Sequence, residues 1–196
     1  GVRGRASATD EDDENGGTWL PLGPPVTAES ISDGESGPGR EFGGAVSLSP
    51  DGRTLAVGSP EEGKKIWPNG GVSPRNNGAV RVFSFDVDEG FWIQRGATLK
   101  GRDGDSLGDA VALSLDGGAL HAGASQYWKL GLGPGSVVSC EWMDGRWLRL
   151  GEPLRGELRN RESGDSFGRS LAVSRNGAVL VAGAYFGNYV NVYGLT

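Results

Sequence analysis

Few side chains in this 196-residue sequence could move a proton or attack a bond: one histidine, one cysteine and scattered carboxylates. His121 sits in "ALHAGA", where two related stretches place Ala56 and Val181. A position that also accepts Ala and Val is a packing position, and metal ligation or catalysis needs several converging groups. Cys140 stands beside Trp142 with no histidine near it in sequence, and reads as a small buried hydrophobe. Glu41, Asp105 and Asp165 each precede a strand-like run and could form the carboxylate pair of a hydrolase. Asp105 and Asp165, however, recur in "GDSLG" and "GDSFG", and repetition predicts a turn-stabilising hydrogen bond. "GLGPG", Gly131 to Gly135, contains proline and precedes a strand pattern, so it is a turn and not a phosphate loop.

Recognition chemistry is better represented than catalysis. Two long connections carry aromatics beside cations: Trp67 with Lys64, Lys65 and Arg75, and Tyr127 and Trp128 with Lys129; Tyr185 lies in a shorter third connection. Tyr and Trp anchor proteins and stack on sugars, so Trp67, Arg75, Tyr127, Trp128 and Tyr185 are the expected ligand-binding face.

The bulk properties narrow the partners. A net charge of -6 and a pI near 4.9 argue against nucleic acid and anionic membranes, which need a basic face. No apolar run is long enough for a spanning helix. One cysteine excludes an intrachain disulfide and leaves the compartment undecided. "DEDDEN", Asp10 to Asn15, predicts a solvated acidic arm over residues 1–18, with calcium or a basic partner as the sharper alternative. The first residue is Gly1, which suggests processing or a piece of something longer.

The elements that would position these residues come from a repeat. Three centres, residues 42–59, 107–124 and 167–184, share one frame. The pairs Phe42-Gly43, Leu107-Gly108 and Phe167-Gly168 are followed eight residues after the glycine by Asp51, Asp116 and Asn176, and fifteen after it by Gly58, Gly123 and Gly183. Between them the apolar residues alternate with a period of two, as strands do. Each Asx-Gly then predicts a tight hairpin into a second strand. "GAVRVFSFD", "GSVVSCEW" and "NYVNVYGL" supply a third strand; "WLPLGPPV", "WIQRGATL" and "WLRLGEPL" supply a fourth, with Trp19, Trp92 and Trp147 each four residues before a glycine. Helical periodicity is absent.

Repeated units of four short antiparallel strands predict an all-β protein of β-propeller type: three four-stranded antiparallel blades over residues 19–196, part of a larger propeller. A blade cannot cover its own faces and needs a neighbour. Because the chain opens on a fourth strand and closes on a third, it would continue into further blades or pair with a copy of itself as a homodimer of six blades.

The pattern W-x-x-x-G, [FL]-G-x-[AS]-[VL]-x-[LV]-S-x-[DN]-G and G-x-V-x-V-[FY] resembles the FG-GAP repeats of integrin-α-type β-propellers, in the variant of large secreted or surface proteins. The resemblance implies a non-enzymatic protein- or glycan-binding or adhesion module, extracellular or at the cell surface. The family's calcium loop, Asp-x-Asp-x-Asp-Gly, is replaced by "SPDG", "SLDG" and "SRNG". One Asx per turn cannot supply six to eight oxygens, so no metal or other cofactor is expected. The alternatives are a carbohydrate-active hydrolase using channel-mouth carboxylates and a structural self-assembly module.

Overall fold

The computed structural model describes residues 18–28, 41–63, 77–102, 104–126, 134–157 and 164–195. They form thirteen strands in three antiparallel sheets, one per repeat. Blade one holds β1 (Ala45–Leu48), β2 (Thr54–Ser59), β3 (Ala79–Asp86), β4 (Phe91–Gln94) and β5 (Leu99–Lys100). Blade two holds β6 (Leu107–Leu113), β7 (Ala119–Ala124), β8 (Ser136–Met143), β9 (Arg146–Arg149) and β10 (Leu154–Arg155). Blade three holds β11 (Phe167–Val173), β12 (Val179–Ala184) and β13 (Tyr189–Gly194). The fold is therefore all-β, with propeller-type blades making up part of a propeller.

The expected fourth strand is split. β4 and β5 both pair with β3, and β9 and β10 both pair with β8. The break falls at Gly96 and Gly151, both at positive φ, where the chain turns a corner that a side chain would resist. In blade three, β13 pairs with β12 and has no strand on its outer edge among the described residues. "WLPLGPPV" is not in a sheet: Pro21, Pro24 and Pro25 have no N–H to donate, and the β13 edge that repeat logic assigns to it lies two blades away. Instead the segment lies against blade one, where the Trp92 indole donates to the Leu22 carbonyl at 3.2 Å. The same bond recurs one blade on, from Trp147 to the Arg95 carbonyl at 2.9 Å. Trp147 thus ties blade two to the corner of blade one, and Trp92 ties blade one to the corresponding corner of the 18–28 segment.

The hairpins follow the Asx-Gly reading, with one refinement. Gly52, Gly117 and Gly177 carry the positive φ, while the Asx side chain closes the turn. Ser49, Ser114 and Ser174 donate their hydroxyls to Asp51, Asp116 and Asn176 at 2.5, 2.6 and 2.8 Å. Each hydroxyl also accepts the N–H that opens the next strand, from Thr54, Ala119 and Val179. The Ser hydroxyl holds the Asp51 and Asp116 carboxyls below their ordinary range, with backbone N–H groups assisting.

The core lies between blades. Ala56, Val80 and Val82 of blade one meet Leu107, Val111, Leu113, Leu120 and Ala122 of blade two. Val137 of blade two meets Phe167, Leu180 and Ala182 of blade three. Blades approach closely where glycine meets glycine: a methyl on Gly58 would fall on the Gly108 carbonyl oxygen, and one on Gly123 on that of Gly168. Those are the invariant glycines of the repeat frame.

His121 and Cys140 are both buried, as their sequence context predicts. His121 Nδ1 lies 2.9 Å from the Ser139 hydroxyl, and Nε2 has no hydrogen-bond partner. Burial raises the Cys140 thiol above its ordinary range and lowers His121 from its ordinary 6.5. The native state then refuses a proton that the unfolded chain accepts near pH 6.5, so stability is complete above that pH and declines as pH falls toward the depressed native value. Blade three solves the same position with the cross-strand pair Val181 and Val192 in place of His121 and Ser139. The double variant H121V/S139V is expected to lose that acid-side decline. Urea midpoints at pH 5 and pH 8 check it: a parent difference that persists in the variant assigns the decline to other groups.

Candidate functional site

Two strand irregularities place charged residues near the axis. In blade two Leu107 pairs with Ala124 and Ala110 with Gly123, so Gly108 and Asp109 are extra residues on β6. In blade three Phe167 pairs with Ala184 and Ser170 with Gly183, leaving Gly168 and Arg169 extra on β11. Gly43, Gly108 and Gly168 all have positive φ, as do Glu41, Ser106 and Ser166 two residues before them. A bulge built this way re-aims the side chain that follows the glycine. Because β6 contacts both β1 and β11, these first strands are the innermost of their blades.

The re-aimed side chains meet. Arg169 Nη1 donates to Asp109 Oδ1 at 3.0 Å, and the Ser125 hydroxyl donates to Asp109 Oδ2. The Asp109 side chain is 3% exposed, whereas that of Arg169 is 41% exposed. Burial raises the Asp109 carboxyl above its ordinary 3.8, against the lowering pull of Ser125 and then Arg169. A sheltered carboxyl of raised basicity is thus held beside a guanidinium that reaches solvent. That pairing can transfer a proton and stabilise an oxyanion.

The carboxylates singled out from sequence have other work. Asp165 is fully buried and accepts bonds from the N–H groups of Phe167 and Glu157 and from the Tyr189 hydroxyl. Burial, then the bond to Asp165, pushes Tyr189 above the usual phenol range. Asp105 accepts the Arg102 N–H at 2.8 Å. Glu41 is a left-handed turn residue whose carbonyl accepts the Gly44 N–H at 2.8 Å. Of the expected ligand-binding face, Trp67, Arg75, Tyr127 and Trp128 lie outside the described residues. Tyr185 is exposed and packs edge-on against Phe186, ring centres 5.0 Å apart.

Sequence reading passed over Asp109, Arg169 and Ser125, although a signal was present. The residue after the repeated glycine is Gly44, Asp109 or Arg169, so one fixed frame position carries opposite charges in adjacent blades.

No protein-family model and no curated protein matches this chain. Solved structures do resemble it. A periplasmic gluconolactonase of Pseudomonas aeruginosa is 21% identical with a TM-score of 0.48, over 81% of this chain and 42% of that one. A candidate 6-phosphogluconolactonase of Bacteroides uniformis is 12% identical with a TM-score of 0.45, over 78% and 36%. TolB of Acinetobacter baumannii is 14% identical with a TM-score of 0.36, over 80% and 33%. The chain spans less than half the length of each. The expected non-catalytic adhesion module is corrected against this finding: two of these neighbours are named for lactone hydrolysis and none of the three for adhesion. At these identities the likeness is one of fold.

Proposed function

We propose that the chain carries a hydrolytic centre for a carbohydrate ester or lactone at the inner end of blades two and three. The observation that supports it is Asp109, a sheltered carboxyl on a bulge between the Ser125 hydroxyl and the Arg169 guanidinium. Glycosidic cleavage ordinarily uses two carboxyl groups, and here Asp105 and Asp165 are engaged by backbone N–H groups. One base beside one cation suits acyl transfer to water. Asp109 takes a proton from water as its oxygen bonds to the carbonyl carbon, and Arg169 donates to the carbonyl oxygen as it gains charge. The acyl C–O bond then breaks, and the proton passes from Asp109 to the departing alkoxide, giving a hydroxy acid from a lactone. The FG-GAP assignment of the blades belongs to the same proposal, supported by the positive-φ glycines at the repeated Phe-Gly and Leu-Gly pairs; a secreted or envelope location is proposed with it.

Asp109→Asn is expected to lower kcat on a sugar δ-lactone by about 100-fold or more, the usual worth of a positioned acid–base group. Arg169→Gln is expected to act on both kcat and KM. Acid release from a panel of sugar lactones and acetylated sugars is the readout. A parent protein inert on the whole panel, or an Asp109→Asn variant as active as the parent, overturns the reading.

A further inference from the structure

The repeat frame shows what the exposed ends of this molecule are built to meet. Val80 and Val82 on β3 are buried because blade two covers them, and Val137 on β8 because blade three does. The equivalent residues of β13 are Val190 and Val192, placed by the shared register with β2, β7 and β12. Val192 is 67% exposed where its counterpart Val82 is 2% exposed. At the other end, Val46 and Leu48 hold the positions of Val111 and Leu113; both are exposed while their counterparts are buried. One end of the chain therefore presents the first half of a blade interface, and the other end presents the second half.

The fourth strand shows the same division. Trp19, Leu22, Gly23 and Val26 correspond in the repeat to Trp92, Arg95, Gly96 and Leu99. Trp19 is 99% exposed. Between blades two and three lies a cavity of about 500 Å³, lined by Tyr193, Gly194, Leu195, Leu150, Trp142 and His121. Its counterpart between blades one and two is filled: Trp147 packs at 5.3 Å from Trp142, and Arg95 lies over both rings. The Leu150 carbonyl stands where the Arg95 carbonyl accepts the Trp147 indole.

We propose that two copies of this chain associate head to tail into one closed ring of six blades. The 18–28 segment of each copy becomes the fourth strand of the other's third blade. By the β3 and β4 register, the second copy's Trp19 lies opposite Leu195, and by that of β3 and β5 its Val26 lies opposite Val190. Its indole enters the cavity and donates to the Leu150 carbonyl. Val181, Val190 and Val192 then pack on the second copy's Val46, Leu48 and Leu55, an apolar match for the blade one to blade two core. The occupant is a second copy because both half-interfaces and the missing strand are present in one sequence, each in the register that the internal blades use. Two contacts of this kind, related by a two-fold axis along the channel, close a ring.

Light scattering over a concentration series tests this on the full chain. The expected parent species has twice the 20.4 kDa chain mass. Val192→Asp and Trp19→Ala each change a side chain that is exposed in the single copy, so folding is retained. Each is expected to weaken association roughly 30-fold or more, as truncation of a central anchor does. The V26C/V190C variant is expected to form an intermolecular disulfide under mild oxidation. A parent that stays at one chain mass throughout, a dimer indifferent to Val192→Asp, or an open ladder of higher oligomers overturns the closed ring.

Discussion

Asp165→Ala is expected to cost about 3–5 kcal/mol of folding stability, enough to leave a marginal domain largely unfolded. The carboxylate is fully buried and accepts three bonds: from the Phe167 N–H at 2.9 Å, the Glu157 N–H and the Tyr189 hydroxyl. Alanine removes the acceptor and strands the buried Phe167 N–H at a cost of about 1–3 kcal/mol. It also takes a charge-assisted bond, worth about 1.5–3 kcal/mol, from each of the partly buried Glu157 N–H and Tyr189 hydroxyl, which water offsets in part. The lost bonds also join segments that are distant in sequence: the connection after β10, the start of β11 and the start of β13. Asp105 holds the same repeat position but accepts one exposed N–H, from Arg102, so Asp105→Ala is expected to cost less than about 1 kcal/mol. Chemical denaturation of the two variants checks the pair. Equal losses would mean that the turn, not the buried network, sets the energy; turnover by a folded Asp165→Ala protein would still report on Asp109 independently.

That contrast marks how far the sequence could be read. Repetition of "GDS" correctly predicts a turn role for both aspartates, since a local hydrogen bond depends on neighbours a few residues away. It cannot tell them apart, because the difference comes from Tyr189, which is 24 residues from Asp165 and which the fold brings to it. The blades were legible for the same reason. Period-two alternation and Asx-Gly turns are local, and the Ser–Asx–N–H network of each hairpin is complete within six residues. The split fourth strand was not legible: "WIQRGATL" has one β-like pattern, and only the tertiary corner at Gly96, packed on Trp142, divides it. The Asp109 site was missed because it depends on two bulges in different blades and on an ion pair spanning 60 residues. An expectation drawn from loop aromatics favoured adhesion, whereas the described part of the inner surface carries the buried Asp109 paired with Arg169. Sequence composition alone gives no weight to which surface faces the axis.

Gly123→Ala is expected to cost about 3 kcal/mol or more, beyond what a small residue exchange in a strand ordinarily costs. The φ there is not positive, so the backbone itself accepts alanine; the obstacle is the neighbouring blade. The new methyl would coincide with the Gly168 carbonyl oxygen, a backbone atom that cannot swing aside. Blades two and three would have to separate, exposing Val137, Phe167 and Leu180 together. Gly58→Ala is expected to do the same to blades one and two through the Gly108 carbonyl. Gly183 holds the equivalent position in blade three, but a methyl there meets chiefly the Ser170 hydroxyl, the movable end of a side chain. In one copy, Gly183→Ala is therefore expected to cost less than about 1 kcal/mol. In the six-blade ring its neighbour would be the second copy's Gly43, which in the single chain has open space around it. Gly183→Ala should then leave the unfolding midpoint of dilute protein nearly unchanged while abolishing the dimer at high concentration. A Gly183→Ala protein that dimerises like the parent places the blade contact elsewhere, and one that unfolds like Gly123→Ala shows that the clash lies within blade three.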